Sequence, residues 1–513
     1  MRVEDQTATL AFLTDPATHD GGAVVTIETH ISVVVLAGHE AFKLKRAVRL
    51  PYVDFSTAEQ RLAACRDELA LNRRTAPKLY RAVRRVTREA DGRLTFDGSG
   101  PLVDAVVVMA RFDENGLFDR MAVEGRLTPA LMTGLANTIA RFHAEAAVSR
   151  ERTGSTAMAD VLAMNQRAFA TTHLFTGEDV ASLYDDFQRA LARHAALLDA
   201  RGRAGKIRRC HGDLHLRNIC LVDGAPTLFD CLEFDARLAT IDVLYDLAFL
   251  LMDLWYRGLA PTANLVFNRY LDACDEADGL PLFSFFMAVR ASVRAHVTAT
   301  QAEEARGERR AELTRDAKRY FDLARRLLVP VPARLVAIGG LSGTGKSTLA
   351  AAIADRIGPP PGARILASDR IRKRLHGVSP ETRLPAEAYL PEISREVYAR
   401  LFTEAQATLR RGHAVIADAV FDRADTRAAI AASAAEAGVG FAGLWLEAPA
   451  ATLVDRVGAR RGDPSDATTQ VVKAQLARGP GLVDWPRIEA GQDRAATAQA
   501  ALDRLLPSDQ GDR

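Results

Sequence analysis

The pattern of apolar and polar positions divides the chain into two parts with different secondary-structure content. Short runs rich in β-branched residues predict strands early in the chain, and longer stretches with helical spacing of apolar positions predict helices. The predicted strands lie at 24–28, 32–37, 41–45 and 103–110, and the mainly helical stretches at 129–200 and 241–328. The first part is therefore expected to be an α+β domain with a small sheet-containing lobe and a larger helical lobe.

From residue 334 onwards the pattern changes to alternating strands and helices. Apolar strand-like runs begin at 335, 364, 414 and 440, with helical segments between them. Such alternation is typical of a parallel sheet covered by helices, so the second part is expected to be an α/β domain.

Two prolines mark the joint between the parts. Pro330 and Pro332 stop the preceding charged helix and favour an extended connector. We therefore expect a first domain at 1–328, a linker at 329–333, a second domain at 334–506 and a short tail at 507–513.

A helix is also predicted from about 57 to 74, directly after the first strands. Ser56 is its expected N-cap, and Glu59 three residues later completes a capping-box pattern. The helix is the first one predicted after the strands of the small lobe.

Composition and charge fit an ordinary globular protein of more than one domain. The 513 residues exceed what one hydrophobic core serves, and 48% of them are apolar and 26% charged. Lys and Arg (67) nearly balance Asp and Glu (65), so charge gives no reason to expect nucleic acid or an anionic membrane as partner. The sequence leaves the oligomeric state open.

Cysteine usage and the hydropathy of the chain bear on its location. Five cysteines without Cys-x-x-Cys spacing favour a reducing compartment over a disulfide framework. The N-terminus lacks a basic segment followed by an apolar run, and the apolar stretch 244–254 is interrupted by Asp246 and Asp253. A cytoplasmic location without a membrane partner is expected.

The second part opens with a phosphate-binding signature. The run from Gly340 to Ser347 satisfies G-x-x-x-x-G-K-[ST] and lies between a predicted strand and a predicted helix. Its glycines allow the backbone N–H groups to face phosphate oxygens, Lys346 supplies a positive charge, and Ser347 offers a hydroxyl to magnesium. The expected nucleotide-binding residues are Gly340, Ser342, Gly343, Thr344, Gly345, Lys346, Ser347 and Thr348.

Further charged residues follow at the ends of later strands. Asp418 ends an apolar strand, where a carboxylate can hold magnesium, although a simple strand-end turn would look the same. Asp369 and Arg372 follow the second strand, where open α/β sheets bind ligands. Arg460 and Arg461 precede a polar loop and are candidates for a lid over the phosphates, with a solvated face as the alternative.

With these motifs, residues 334–506 resemble the small P-loop kinases that include gluconate kinase, zeta-toxin-like kinases and the kinase half of polynucleotide kinase. The resemblance implies ATP or GTP as phosphate donor and Mg²⁺ as cofactor. It implies Asp369 as the base that activates the acceptor, and Arg460 or Arg461 as a lid arginine. The position of Arg372 makes it a candidate phosphate clamp on the substrate, with a solvated basic helix start as the alternative. Members phosphorylate different hydroxyls, so the acceptor does not carry over.

A second phosphotransfer signature lies in the first part. His211, Asp213 and Asn218 have the spacing H-x-D-x-x-x-x-N, and Asp230 follows a strand-like run twelve residues after Asn218. With this constellation, residues 22–328 resemble the aminoglycoside phosphotransferase and choline kinase group. The resemblance implies a bilobal protein-kinase-like fold, with Asp213 as catalytic base and with Asn218 and Asp230 as metal ligands.

The same resemblance implies a phosphate-binding lysine on an early strand. Lys43 and Lys45 point to the same face of that strand, and Lys45 is slightly favoured. Glu68 on the following helix is the expected partner of the lysine. The chain departs from the kinase pattern in having no G-x-G-x-x-G before this strand; residues 28–32 occupy that hairpin position, where hydroxyls or backbone N–H groups would have to replace the glycine loop.

Carboxylates near the first signature leave several roles open. Glu233 and Asp235 could bind a cationic substrate or a second metal, or could cap the next helix. Asp242 and Asp246, four residues apart on a predicted helix, are expected to brace the catalytic loop through hydrogen bonds.

Three functional hypotheses follow. The first is a tandem enzyme whose two halves transfer phosphate from ATP to hydroxyl groups of small molecules. The second is one catalytic kinase half fused to a nucleotide-sensing regulatory half. The third is a P-loop ATPase that forms no phosphorylated product.

Overall fold

The computed structural model describes residues 3–29, 31–50, 53–459, 465–491 and 493–506. The two expected lid residues Arg460 and Arg461 and the expected tail 507–513 lie outside these ranges. The chain forms two compact units: Met1–Leu254 with Val289–Phe321, and Trp255–Ala288 with Asp322–Arg513.

Helices and strands occupy most of the described chain. The strands are β1 (Val24–Glu28), β2 (Ser32–Ala37), β3 (Glu40–Lys45), β4 (Arg49–Leu50), β5 (Val53–Asp54), β6 (Tyr80–Arg88), β7 (Leu94–Phe96), β8 (Leu102–Ala110), β9 (Ile207–Arg209), β10 (Ile219–Val222), β11 (Ala225–Leu228), β12 (Thr240–Asp242), β13 (Arg334–Gly340), β14 (Arg364–Ala367), β15 (Val415–Asp418), β16 (Gly440–Glu447) and β17 (Arg487–Glu489). The helices are α1 (Thr7–Thr14), α2 (Ala58–Asn72), α3 (Phe118–Val123), α4 (Pro129–Glu145), α5 (Gly154–Phe169), α6 (Gly177–Arg203), α7 (Ala236–Ala239), α8 (Val243–Tyr256), α9 (Ala260–Ala273), α10 (Phe283–Glu304), α11 (Gly307–Leu328), α12 (Lys346–Ile353), α13 (Ser368–Leu375), α14 (Pro391–Arg410), α15 (Ala424–Glu436), α16 (Ala450–Gly458), α17 (Thr469–Arg478) and α18 (Arg494–Leu505).

The first unit contains an antiparallel sheet with strand order β1-β2-β3-β8-β6-β7. Side chains alternate between its two faces, so Phe42 and Leu44 pack in one apolar cluster and Ala41 packs in another, together with Cys65 of α2. Lys43 and Lys45 share the face of Ala41, which places both ammonium groups towards α2.

The helical region of the first unit carries two polar loops. One loop runs from β9 to β10 and includes the short 3-10 helix Leu216–Asn218; the other runs from β11 to α7. Two-stranded antiparallel ladders, β10 with β11 and β12 with β9, hold the ends of these loops. Helix α8 is buried from Val243 to Leu254, which explains why its sequence is nearly all apolar.

The second unit contains a parallel sheet with strand order β14-β15-β13-β16-β17. Asp418 at the end of β15 lies opposite Ile338 of β13 and opposite Ala367 of β14. Apolar clusters cover both faces, as expected for a parallel sheet between helices. The α+β and α/β classes expected for the two parts are confirmed.

The compact units do not follow the predicted linker. Helix α11 ends at Leu328 and β13 begins at Arg334, so 329–333 does connect a helix to a strand. However, residues 255–288 and the chain from Asp322 both belong to the unit of the parallel sheet. The domain boundaries expected from the sequence therefore stay a prediction.

Two smaller points concern α2 and the hydropathy of the helices. The N-cap of α2 is Thr57 and its capping-box partner is Gln60, so the predicted pair of Ser56 and Glu59 is wrong by one residue. Within the described ranges, no helix combines the length and the apolarity needed to cross a membrane.

Candidate active sites

The loop between β13 and α12 has the shape that its glycines predict. Gly343 and Gly345 both have φ near +92°, a region that side chains other than glycine rarely adopt. A Cβ atom on Gly343 would lie 2.8 Å from the carbonyl oxygen of Leu453, whereas the space beside Gly345 is open. The loop therefore packs closely at Gly343 and is open beside Gly345, at the N-terminus of α12, where a helix favours an anion.

Polar contacts connect this loop to the end of β15. The Ser347 hydroxyl donates to the Asp418 carboxylate at 2.5 Å, and Asp418 is almost fully buried. Lys346 donates from its ammonium group to the Leu341 carbonyl at 3.0 Å. Thr344 is buried and bonds the same carbonyl, while Thr348 is exposed on the first turn of α12. A hydroxyl and a carboxylate oxygen thus lie side by side, which is the donor chemistry that Mg²⁺ prefers.

A residue without a sequence signature also reaches the loop. The backbone N–H of Ser342 donates to the side-chain carbonyl of Gln475 at 2.9 Å. Gln475 lies on α17, far along the chain from the loop. No local sequence motif predicts this contact, because Gln475 reaches the loop only in the folded protein.

Asp369 lies on the first turn of α13, two residues after the end of β14. It is half-buried, and no hydrogen-bond partner is found for its carboxylate among the described residues. Burial is the largest cause of a raised pKa at Tyr389 and at Tyr398, and the Asp369 carboxylate contributes to both. Asp369 therefore lies near two phenol groups, with its carboxylate available to an acceptor.

Arg372 is placed differently from a solvated phosphate clamp. Its guanidinium is buried, donates to the Ala388 carbonyl at 2.7 Å and lies 4.6 Å from the centre of the Tyr389 ring. These partners already hold the guanidinium of Arg372 within the protein. Its contact with a substrate stays a prediction.

The chain just after the predicted lid arginines is fixed by one carboxylate. Asp466 accepts from the Tyr389 hydroxyl at 2.6 Å and from the Leu384 N–H at 2.9 Å, and it contacts the buried ammonium of Lys373. Asp466 thus connects α13 to the chain between α13 and α14.

In the first unit, Glu68 lies between two lysines. Lys43 donates to Glu68 at 2.8 Å and to Asp230 at 2.5 Å, while Lys45 lies 2.5 Å from the other Glu68 oxygen and contacts Glu233. Lys45 is fully buried, but the Lys43 side chain keeps 12% of its exposure. Of the two candidates, Lys43 is the one whose ammonium group faces a predicted metal ligand.

These contacts shift the pKa values of Lys43 and Glu68 in opposite directions. Burial alone would lower the pKa of Lys43, but Asp230 and Glu68 raise it well above its ordinary value. Burial would raise the pKa of Glu68, but Lys43 and Lys45 outweigh it and lower the pKa to about 2. Lys43 and Glu68 are therefore both charged at neutral pH, whereas burial raises the pKa of Glu233.

The backbone of Asp230 has a left-handed conformation. Its φ is +61°, which is uncommon for a residue other than glycine, and its N–H donates to the Tyr80 hydroxyl at 3.2 Å. Its side chain is 39% exposed. The carboxylate is thus turned out of its loop, towards Lys43.

The loop that carries Asp213 brings the predicted base and metal ligand together. The Asn218 side-chain amide donates to both the carboxylate and the backbone carbonyl of Asp213 at 2.9 Å. Burial raises the pKa of Asp213, but the imidazoles of His215 and His211 outweigh it, so its pKa lies below its ordinary value. Asp213 is therefore ionised, and 40% of its side chain remains exposed to an acceptor.

Helix α8 holds this loop as predicted for Asp246. The buried Asp246 carboxylate accepts from the N–H groups of His211 at 3.1 Å and Gly212 at 2.8 Å, and it contacts His143 at 3.1 Å. Asp242 instead pairs with Arg201 and accepts from the Leu244 N–H, so its predicted role in the loop is not seen.

The structure gives different partners to the two neighbouring carboxylates, Glu233 and Asp235. Glu233 is buried against Lys45, and Asp235 caps α7 by accepting from the Arg237 N–H at 2.9 Å.

The hairpin at 28–32 is closed by Thr29, whose hydroxyl both donates to the Ser32 carbonyl and accepts from the Ser32 N–H at 3.0 Å. The Thr29 hydroxyl is thus engaged within the turn.

Comparison with known proteins finds a matching family model for each of the two regions. Residues 35–281 match a family model described as the phosphotransferase enzyme family, and residues 335–481 match one described as an AAA domain. A gluconokinase structure from Sinorhizobium meliloti 1021 is 22% identical and covers 34% of this chain and 95% of its own, with a TM-score of 0.24. A choline kinase structure from Cryptosporidium parvum Iowa II is 9% identical and covers 61% and 91%, with a TM-score of 0.39.

Relatives that extend along the chain come from mycobacteria. The uncharacterized protein Rv2004c of Mycobacterium tuberculosis is 31% identical over 467 residues, which cover 89% of this chain and 90% of the relative. The uncharacterized protein Mb2027c of Mycobacterium bovis matches with the same figures. This chain therefore belongs to the same family as these mycobacterial proteins, and it joins an N-terminal phosphotransferase-family kinase region to a C-terminal P-loop kinase region.

Proposed function

We propose that the chain is a tandem phosphotransferase, in which each kinase region transfers the γ-phosphate of ATP to a hydroxyl group of a small molecule with Mg²⁺ as cofactor. The family membership makes it a kinase-type enzyme. The observation that carries the proposal is that each region has its own pair of hydrogen-bonded polar side chains at its expected site: Ser347 with Asp418, and Asn218 with Asp213.

In the P-loop region, each residue type has a task in phosphoryl transfer. Backbone N–H groups around Gly345 and the Lys346 ammonium bind the donor phosphates, because they offer positive charge at a helix N-terminus. Ser347 and Asp418 would hold Mg²⁺, which neutralises charge on the β- and γ-phosphates when bound. Asp369 orients and deprotonates the acceptor hydroxyl, since its carboxylate is available for this purpose.

In the phosphotransferase-family region, the tasks divide in the same way. Lys43 binds donor phosphate, with Glu68 holding its ammonium group in place. Asn218 and Asp230 would hold Mg²⁺ through an amide oxygen and a carboxylate, both of which are suitable oxygen ligands. Asp213 accepts the proton of the acceptor hydroxyl, and its ionised state suits that role.

The proposal is tested by following labelled phosphate from ATP into a metabolite extract. The full chain is compared with Asp213→Asn and Lys346→Met, which remove the base of one region and the phosphate-binding charge of the other. We expect each substitution to abolish a different labelled product, identified by mass spectrometry. The same products in both variants, or only inorganic phosphate, would contradict tandem transfer.

One observation favours a second candidate, in which the N-terminal region senses nucleotide without turnover. The hairpin over its expected phosphate position has no glycine loop, and its Thr29 hydroxyl is hydrogen-bonded inside the turn. In that case Asp213→Asn would change no labelled product, while nucleotide would still bind to the Lys346→Met chain.

A further inference from the structure

Helix α9 covers the outer edge of the parallel sheet in the second unit. Strand β14 is the first in the strand order β14-β15-β13-β16-β17, so its outward backbone groups have no neighbouring strand. Asn268 of α9 accepts from the Ile365 N–H at 2.8 Å and donates to the Ala363 carbonyl at 3.1 Å. A side chain thus replaces a missing strand at this edge.

One turn further along the chain, a single carboxylate joins three arginines. Asp272 lies 2.6 Å from the Arg364 guanidinium, 2.9 Å from that of Arg269 and 3.3 Å from that of Arg370. The site is largely buried: the Asp272 side chain is 18% exposed and that of Arg364 8%. Although burial raises the pKa of Asp272, Arg364 and Arg269 outweigh it and lower the pKa, so the carboxylate is charged.

Two of these arginines lie at the two ends of the segment that carries Asp369. Arg364 is the first residue of β14, and Arg370 directly follows Asp369 on the first turn of α13. Asp272 therefore holds both ends of the short segment that carries Asp369 at the carboxyl end of the sheet. Asp272 itself lies in the range 35–281, which matches the phosphotransferase family and not the AAA domain.

We propose that Asp272 is a positioning residue for the P-loop kinase: its pairs with Arg364 and Arg370 fix the strand-to-helix turn that presents Asp369 to the acceptor. The proposal rests on the role of Asp369 in the proposed function. It also means that the P-loop kinase site is completed by a helix from upstream of residues 329–333.

The physical reason is the charge balance of the cluster. Without the carboxylate, three guanidinium groups face one another at a largely buried site, and like charges in such a site repel strongly. The turn would relax to separate Arg364 from Arg370, and Asp369 would lose its fixed position. Catalysis depends on this position, because small displacements of a base from its acceptor lower the rate steeply.

The test compares full-length wild type with Asp272→Asn, which removes the charge, and Asp272→Glu, which keeps it. Asp275→Asn, an exposed carboxylate of the same segment, is the matched control. The first measurement is hydrogen exchange of the amides at 365–372, with those at 341–348 as internal reference. We expect Asp272→Asn to raise exchange at 365–372 by about tenfold or more, and the reference amides to change little.

The second measurement is kinetic and follows ADP release from Mg·ATP in the presence of the metabolite extract. Every chain compared in it also carries Asp213→Asn, which silences the N-terminal region. We expect Asp272→Asn to lower kcat by about tenfold or more with little change in KM for ATP, and Asp272→Glu to restore most of the rate. Binding of a non-hydrolysable ATP analogue should stay within about twofold of wild type, because the phosphate loop is untouched.

Two results would overturn the proposal. One is unchanged exchange at 365–372 in Asp272→Asn, and the other is a uniform rise over the whole parallel sheet, which would show general destabilisation. Failure of the proposed function is a separate result: ADP release by the Asp213→Asn chain would not depend on Lys346. In that case the exchange measurement would still decide whether Asp272 fixes the turn.

Discussion

Lys43 and Lys45, of which the sequence slightly favours Lys45 as the phosphate-binding residue, have different surroundings in the folded protein. Both extend from the same face of β3 and share Glu68, so strand alternation predicts them equally well. Only the position of the loop after β11 separates them, because it places Asp230 beside Lys43 and Glu233 beside Lys45. We therefore expect Lys43 to bind phosphate and Lys45 to hold the loop.

Substituting the two lysines should give different defects. Lys43→Met should weaken ATP binding in the N-terminal region by about 10- to 100-fold, since a charge-assisted hydrogen bond contributes about 1.5–3 kcal/mol. Lys45→Met should destabilise the protein by about 3 kcal/mol or more, because it leaves Glu233 buried and unpaired. Calorimetric titration with ATP and urea denaturation distinguish the two effects, and the reverse assignment would contradict the division of roles.

The same cluster predicts how stability depends on pH. The pKa of Glu68 is about 2 in the folded protein, below its ordinary value of about 4.3. A lowered pKa contributes stability that is present above about pH 4.3 and is lost as the pH falls towards 2. Urea denaturation between pH 6 and pH 2.5 should therefore show a smaller loss of stability for Glu68→Gln than for wild type. Glu59→Gln, on an exposed position of the same helix, should follow the wild-type curve.

At the scale of elements, the sequence predicts those strands whose pattern is local, and it does not predict contacts between distant parts of the chain. The strands at 24–28 and 32–37 have the predicted bounds, because β-branched runs between turns need no distant partner to be recognised, and β14 begins at the predicted residue 364. The sequence does not predict strand β6, since its arginines resemble a solvated segment. Two of them, Arg81 and Arg84, pair with acids at the surface. Gln475 and Asp466 were not predicted as site residues for a similar reason, as their partners lie far away in the chain.

The start of α2 gives a sharp prediction at this scale. Ser56 and Thr57 are adjacent hydroxyl residues, and the capping box uses Thr57, which accepts from the Gln60 N–H while the Gln60 side chain accepts from the Thr57 N–H. Thr57→Ala should cost about 1 kcal/mol of stability, and Ser56→Ala less than about 0.5 kcal/mol. Equal losses in urea denaturation would mean that the cap is not placed as described.

At the scale of the whole molecule, the sequence predicted two kinase regions but not which helices complete each compact unit. Helix α9 has an apolar face in either setting, so its pattern does not specify the surface that it covers. Its asparagines and Asp272 find their partners on β14 and α13, about a hundred residues further along the chain. The prolines at 330 and 332 lie where a helix ends before a strand begins. They do not by themselves mark a boundary between compact units.

Two kinase regions in one chain predict two nucleotide sites per molecule. Titration calorimetry with Mg²⁺ and a non-hydrolysable ATP analogue should give a stoichiometry near two for wild type. Lys346→Met and Lys43→Met should each reduce it to one, and the double variant to none, because the two charged sets share no residue and their losses add. Lys78→Met, a largely exposed lysine paired with Asp223, should retain both sites. A wild-type stoichiometry of one that disappears in Lys346→Met would leave the N-terminal region without nucleotide, and would exclude both tandem transfer and nucleotide sensing by that region.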